Sequence, residues 1–182
     1  MRGSVFVEFV DYLEDRFGLE QVDAIVADLG ATLSTEGAYT AVGDYPHTEM
    51  LAIAQSVCER TDTPLPTLVR EFAGFLLDAF ARMHPEYFES TDDVFEFLES
   101  VGSLIHQDVR KLYPDSNPPM VRLERLDRQS ARLTYESHRP LAPLAHALAE
   151  ATGEKFGQPL AIDVRDAPED GRRLVLELRV TS

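Results

Sequence analysis

The sequence predicts an α+β fold, in which a helical N-terminal part is followed by a small antiparallel sheet with one crossing helix, in the order β-β-α-β-β. Apolar residues recur at spacings of three and four as far as Tyr113, and from Met120 onward they alternate with polar ones. The chain has 182 residues, of which 44% are hydrophobic, so it is long enough for one domain with a packed core.

Five helices are predicted before the period changes. Gly18 and Pro85 mark the ends of the first and fourth helices, because glycine favours a helix end and proline restricts the residue before it. The 30–46 stretch has three glycines and no sustained period, which predicts a long loop. The helices are expected at residues 5–17, 20–29, from His47 or Thr48 to Cys58, from Pro64 or Pro66 to Met83, and 92–113.

The fifth helix is the longest, and its apolar positions are expected to face inward. Pro114 and the 117–119 Asn-Pro-Pro group should end it. The positions expected to be buried are Val94, Phe95, Phe97, Leu98, Val101, Leu104, Ile105, Val109 and Leu112.

Strand-like alternation covers residues 120–125 and 131–136, and the 127–129 segment between them predicts a hairpin turn. An alanine-rich helix is predicted from about 141 to 151, ending at Gly153. Two further strands are predicted near 160–164 and 173–180, on either side of a turn at 167–171.

Charge excludes several classes of partner. With 17 basic and 32 acidic side chains the net charge is −15, and such a surface repels nucleic acid and anionic membranes. No stretch approaches the roughly 20 apolar residues that span a bilayer. Glu8 and Asp11 interrupt the apolar N-terminal residues, so we expect neither membrane insertion nor a signal peptide, and a cytoplasmic location.

Cys58 is the one cysteine, so it cannot form an intramolecular disulfide or a thiolate zinc cluster, and it is expected to be a small core residue. The sequence has no glycine-rich phosphate loop, no His-Glu-x-x-His pair, no Gly-x-Ser-x-Gly elbow and no Cys-x-x-Cys pair. We therefore expect a protein that is not an enzyme. Four of the five histidines are expected to be surface or capping residues, namely His47, His84, His138 and His146.

The fifth histidine, His106, stands between hydrophobic residues on the longest predicted helix. There its imidazole would be partly dehydrated and would need a partner for its second nitrogen. A structural core histidine and a ligand to a bound group are both compatible with this pattern.

Tyr135, Ser137 and Arg139 are spaced by two, so an extended backbone projects them to the same face. Two hydroxyl groups and a guanidinium that converge make a site for a dianion with two carboxylates, which arginine can bind in a bidentate way. The alternative is a solvated strand face with a single arginine at its end.

His106, the Pro118-Pro119 pair and the Tyr135-x-Ser137-x-Arg139 triplet together resemble the haem nitric-oxide/oxygen-binding (H-NOX) family, which includes the haem domain of soluble guanylate cyclase. The 1–3 Met-Arg-Gly and 110–113 Arg-Lys-Leu-Tyr segments are similar too. The resemblance covers essentially the whole chain. It implies one haem-binding sensor domain over 1–182, with a distal helical part at 1–65, a proximal part at 66–182 and haem between them.

The resemblance also implies individual roles. The cofactor would be haem b (iron protoporphyrin IX), with His106 as the proximal ligand to iron. Tyr135, Ser137 and Arg139 would hold the two propionates, and Pro119 would press on the porphyrin and distort it. The apolar residues of the central helices are compatible with both a core and a porphyrin pocket.

The resemblance further bears on which gas is bound. Negative charge builds on the outer atom of iron-bound oxygen, so a dry pocket retains oxygen only with a hydrogen-bond donor. Oxygen-binding members place a tyrosine five positions beyond the arginine of the triplet, where this chain has Leu144. Phe9, Leu76 and Val5 take other distal positions, and none of the four can donate a hydrogen bond. We therefore predict a nitric-oxide sensor whose ferrous haem is five-coordinate through His106.

Family resemblance implies that nitric oxide weakens the bond to His106, that the released histidine lets its helix move, and that the porphyrin relaxes against Pro119. The partner would be a histidine kinase or a cyclic-di-GMP enzyme, and no zinc is expected because Cys58 stands alone. The alternatives are an oxygen or redox sensor and a haem-free interaction or small-ligand-binding domain. Three tyrosines could still bring a donor to the distal side, namely Tyr12, Tyr39 and Tyr45.

Overall fold

A computed structural model describes residues 1–181, which form two compact units. The first unit is Met1–Leu76, and the second begins at Leu77, inside helix α4. In the described residues no helix is both long enough and apolar enough to cross a membrane.

The first unit is helical, as the sequence predicts. Its core is built by α1 residues that recur at helical spacing, with Phe6 and Leu13 fully buried. The Phe9 ring packs edge-on against Phe72 of α4, with 4.9 Å between centroids. Its elements are α1 (Gly3–Phe17), α2 (Leu19–Leu29), a 3-10 turn (Gly30–Thr32), α3 (His47–Thr61) and α4 (Leu65–Met83), which continues into the second unit.

The second unit carries a four-stranded antiparallel sheet in the order β1-β2-β4-β3. Helix α8 packs on the inner face, where alternate residues of β2 and β4 such as Leu133 and Leu176 are buried. This arrangement confirms the predicted α+β class. The elements are α5 (Pro85–Phe88), α6 (Val94–Ser100), a π-helical turn (Val101–Ile105), α7 (His106–Leu112), β1 (Met120–Arg125), β2 (Ser130–Glu136), α8 (Ala142–Lys155), β3 (Leu160–Asp166) and β4 (Arg173–Val180).

The helix predicted over 92–113 is present as a continuous helical run over 94–112, but this run is not an α-helix throughout. A π-helical turn separates α6 from α7, and its extra residue rotates α7 by about 100° relative to the predicted apolar stripe. Leu104 in the turn and Leu112 in α7 were expected inside, and they are 46% and 73% exposed. The turn contains Gly102, where an added Cβ would lie 1.8 Å from the carbonyl oxygen of Val121 in β1. The helix and the edge strand therefore approach so closely that position 102 has no room for a side chain.

The prediction that the alanine-rich helix ends at Gly153 is wrong, because α8 continues to Lys155. Gly153 is buried, and an added Cβ there would lie 2.8 Å from Cγ of Leu160. This glycine thus permits close packing of α8 against the start of β3 and does not end the helix. The four-residue helix α5 was not predicted, since it is too short to show a period.

Candidate functional site

His106 is the first residue of α7 and directly follows the π-helical turn. Its Nδ1 atom is buried without a hydrogen-bond partner among the described residues. Burial lowers the pKa of the imidazole to about 4, the Pro119 carbonyl opposes this shift, and the charge of Arg110 adds to it. The ring is therefore neutral at pH 7, the form in which histidine binds metals.

The triplet residues lie together at the end of β2. Tyr135 is buried on the inner face of the strand, and burial raises its pKa, while a hydrogen bond with the Ser137 side chain and the charge of Arg139 act in the opposite direction. The backbone N–H of Arg139 donates to Oγ of Ser137 at 3.1 Å. The strand ends at Glu136, so the turn after it, rather than a continued strand, keeps the three side chains close.

The 117–119 segment joins this cluster to His106. Arg139 donates from Nη1 to the carbonyl oxygen of Asn117 at 2.9 Å, and two residues later the Pro119 carbonyl acts on the His106 ring. Nδ2 of Asn117 lies 3.2 Å from Nδ1 of His138. Sequence reasoning missed Asn117, because nothing in a Pro-rich turn indicates that a backbone carbonyl will meet an arginine 22 residues later.

These residues fit a cofactor that carries both a metal and acidic side groups. A neutral imidazole with a buried, unpaired nitrogen can bind a metal ion, and the hydroxyl groups of Tyr135 and Ser137 with the guanidinium of Arg139 can bind carboxylates. An acidic chain needs such a local cationic site to hold a dianion.

The four apolar residues predicted on the distal side are found in both units. Phe9 and Leu76 are buried in the first unit, and Val5 is half-buried on α1. Leu144 is half-buried in the first turn of α8, in the second unit. All four side chains are hydrocarbon and none can donate a hydrogen bond.

The three tyrosines that could have supplied a donor all have hydrogen-bond partners in the first unit. Tyr12 donates to Oε2 of Glu71 at 2.9 Å, and Tyr39 donates to Oε2 of Glu49 at 3.0 Å. Burial and these carboxylates raise the pKa of both tyrosines. The hydroxyl of Tyr45 accepts a hydrogen bond from a backbone N–H of its own loop at 2.9 Å.

Comparisons with known proteins agree with the resemblance carried by His106 and the triplet. A family model described as Haem-NO-binding matches residues 2–164. The chain is 31% identical to an Fe(II) unliganded H-NOX protein from K. algicida, with a TM-score of 0.89 over 100% of this chain and 97% of that one. An S. oneidensis H-NOX protein in the Fe(II)NO ligation state is 23% identical, with a TM-score of 0.87 and full coverage of both chains. A mutant of T. tengcongensis H-NOX is 19% identical, with a TM-score of 0.85 over 100% of this chain and 98% of that one. No match was found among curated proteins.

Proposed function

Because this chain belongs to the haem-NO-binding (H-NOX) family of haem-binding gas-sensor domains, we propose that it is a nitric-oxide sensor that holds ferrous haem through His106. The observation that carries the proposal is the neutral imidazole whose Nδ1 is buried without a hydrogen-bond partner. Haem iron supplies the centre at which the gas binds. Residues 1–182 act as one sensor domain, with a sensing rather than a catalytic role.

We assign the cofactor as haem b and give the residues around it separate roles. Tyr135, Ser137 and Arg139 hold the two propionates, and the pairing of Arg139 with the Asn117 carbonyl orients its guanidinium. Pro119, whose carbonyl acts on the His106 ring, would contact the porphyrin. The support for these roles is that the triplet supplies donors for carboxylates, close to the segment that reaches His106.

Selection of nitric oxide over oxygen depends on the four apolar side chains predicted on the distal side of the haem. Phe9, Leu76, Val5 and Leu144 offer no hydrogen bond to bound oxygen, whereas the iron–nitric oxide bond does not need one. The hydroxyls of Tyr12 and Tyr39, which donate to carboxylates inside the first unit, support the same selectivity.

An absorption spectrum tests the cofactor and its ligand. We expect the purified protein to show a Soret band that His106→Ala abolishes and His84→Ala leaves unchanged, because His84 is an exposed histidine that pairs with Glu86. A protein without a Soret band would favour the haem-free interaction or ligand-binding domain instead, and a band that survives His106→Ala would show that haem is held by a residue other than His106.

The same protein in air tests the choice of gas. We expect ferrous protein to bind nitric oxide and to form no stable oxygen complex. A stable oxygen complex in air would contradict the apolar selection and identify an oxygen sensor, and reversible oxidation without gas binding would identify a redox sensor.

We propose that the signal passes to a separate protein, a histidine kinase or a cyclic-di-GMP enzyme. Within this chain, His106 would couple the bound group to α7, and a movement of α7 would carry the signal. Replacing His106 by glycine and adding imidazole should keep the haem bound while separating it from α7. Equal regulation of the partner by this variant would reject the mechanism.

A further inference from the structure

Helix α7 carries His106 but lies outside the hydrophobic core of its unit. That core includes Val94, Phe95 and Leu98 of α6, and it includes no side chain from residues 101–112. Helix α7 is therefore held by individual contacts, one of which joins the Pro119 carbonyl to the His106 ring. On the N-terminal side the backbone of Gly102 packs against a carbonyl oxygen of β1.

On the other side the contact is made by Asp108, two residues after His106. Its Oδ2 accepts a hydrogen bond from the hydroxyl of Tyr87 at 3.1 Å, and its Oδ1 lies 2.9 Å from Nζ of Lys111. Lys111 belongs to α7 itself and cannot fix the helix, whereas Tyr87 belongs to α5. The contact between the helices is therefore a hydrogen bond from a phenol hydroxyl to a carboxylate, which is of the stronger, charge-assisted kind.

Helix α5 is in turn attached to the body of the unit. The ring of Phe88, next to Tyr87, lies 4.6 Å from that of Phe97 in α6 and 6.4 Å from that of Phe156 at the end of α8, centroid to centroid. Oγ of Ser90 donates to the carbonyl oxygen of Tyr87 at 2.8 Å. The phenol that meets α7 thus extends from a turn held by aromatic packing.

We propose that the hydrogen bond between Tyr87 and Asp108 is a tether that holds α7 in the histidine-bound position, which makes Tyr87 and Asp108 positioning residues for His106. The inference rests on the proposed function and adds to it the element that opposes histidine release. When His106 departs, Asp108 moves with the same helix while Tyr87 stays with α5. The hydrogen bond is then present in one state and broken in the other, so it biases the equilibrium by its own free energy.

The test compares variants of the protein with and without the tether. Tyr87→Phe removes only the hydroxyl, Asp108→Ala removes the acceptor, and Asp108→Asn keeps an oxygen acceptor. Lys111→Met is the matched control that removes the other partner of Asp108 and keeps the tether. Arg165→Met is a second control, because it removes an ion pair with Glu177 on the sheet at 2.6 Å.

Two readouts are needed. Hydrogen exchange of the backbone amides of residues 106–112 in the gas-free protein reports on the helix without any use of nitric oxide. The absorption spectrum of the ferrous nitric-oxide complex reports the ratio of five-coordinate to six-coordinate haem. We expect Tyr87→Phe to speed exchange in α7 and to shift the ratio toward the five-coordinate form, each by about three- to tenfold. Asp108→Ala should do the same, the double variant should add nothing further, and both controls should resemble the wild type.

Several results would overturn the tether. The first is unchanged exchange in α7, and the second is faster exchange with an unchanged coordination ratio. The third is an equal shift in Lys111→Met. The fourth is faster exchange throughout the unit, which would indicate a merely structural role for the hydrogen bond. Failure of the proposed function looks different, because the wild type itself would lack a Soret band that depends on His106. That result would reject the coupling to iron before any tether variant is compared.

Discussion

Three tyrosine hydroxyls of the first unit, on Tyr12, Tyr39 and Tyr45, already have partners within that unit. For Tyr12 or Tyr39 to donate to a gas, the hydroxyl would have to leave the carboxylate of Glu71 or Glu49. A hydrogen bond to a charged group contributes about 1.5–3 kcal/mol, so this exchange is unfavourable. At the scale of the residue, the donors of Tyr12 and Tyr39 are therefore committed to carboxylates, as the proposed preference for nitric oxide requires.

A donor introduced at Leu144 should change the choice of gas. We expect Leu144→Tyr to strengthen oxygen binding by about ten- to a hundredfold, because a phenol hydroxyl can donate to the negative outer oxygen atom. The measurement is the oxygen dissociation constant of the ferrous protein. Leu144→Phe is the matched control, since it adds the ring without the hydroxyl and should leave oxygen weakly bound. Equal oxygen affinities for the two variants would mean that position 144 does not face the gas.

At the scale of the element, the contact between Gly102 and β1 fixes where the π-helical turn can lie. We expect Gly102→Ala to lower the free energy of unfolding by about 1–3 kcal/mol, because its Cβ would overlap the Val121 carbonyl oxygen. Denaturant titration measures this. Gly74→Ala is the control, because nothing lies within 4 Å of an added Cβ in α4, and it should stabilise by about 0.5–1 kcal/mol. Equal gains in both variants would show that the helix moves freely away from β1.

Asp93 caps the N-terminus of α6, and its contribution to stability depends on pH. Its Oδ1 accepts from the backbone N–H groups of Phe95 and Glu96 at 2.8 and 3.0 Å and from Nη2 of Arg125 at 2.6 Å. Burial alone would raise the pKa of Asp93, but these hydrogen bonds outweigh it and lower the pKa. The carboxylate therefore contributes its full stability above the ordinary aspartate pKa, and this contribution is lost as the pH falls below that value toward the lowered one.

Replacing Asp93 tests this dependence. Asp93→Ala should cost about 1 kcal/mol at pH 7, and the difference from the wild type should shrink as the pH falls below about 4. The measurement is the free energy of unfolding as a function of pH. Asp93→Asn keeps a capping oxygen and loses the charge. Residue 93 should then make no pH-dependent contribution to the free energy of unfolding. Parallel loss of stability in the wild type and Asp93→Ala between pH 7 and 3 would contradict the assignment.

Sequence periodicity predicts most of the helices and strands because each buries one face. It cannot predict a π-helical turn inside a helix whose apolar pattern continues across the turn. The apolar spacing across 92–113 is continuous, and the π-helical turn lies where Gly102 packs against Val121, which is distant in sequence. The triplet was predictable as a cluster, since Tyr135, Ser137 and Arg139 are local. Asn117 was not, because its backbone carbonyl makes the contact.

At the scale of the whole molecule, the charge is unevenly distributed along the chain. Residues 120–182 carry ten basic and ten acidic side chains, so the net charge of −15 lies entirely in residues 1–119. The part that contains Arg139 is therefore neutral on balance, and the repulsion of an anion comes from the rest of the chain.

This distribution predicts how salt affects cofactor uptake. We expect the association of haem with the haem-free protein to become about two- to fivefold faster between low and high ionic strength, because salt screens repulsion between an acidic protein and a dianion. Stopped-flow absorbance measures the rate. The dimethyl ester of haem, which lacks the propionate charges, is the control and should respond little. Slower uptake at high salt would mean that the attraction of the propionates to Arg139 outweighs the repulsion by the acidic part of the chain.

The order of strands in the sheet has a consequence for biosynthesis. Strand β4 comes last along the chain, yet it lies inside the sheet between β2 and β3. Tyr135 pairs with Leu174 of β4, and the backbone N–H of Ser137 donates to the carbonyl oxygen of Arg172 at 2.8 Å. While a ribosome is still adding residues 172–180, β2 has only β1 beside it and the turn after it has no fixed support. The cluster of Tyr135, Ser137 and Arg139 is therefore not supported on both sides until β4 has been synthesised and has paired with β2.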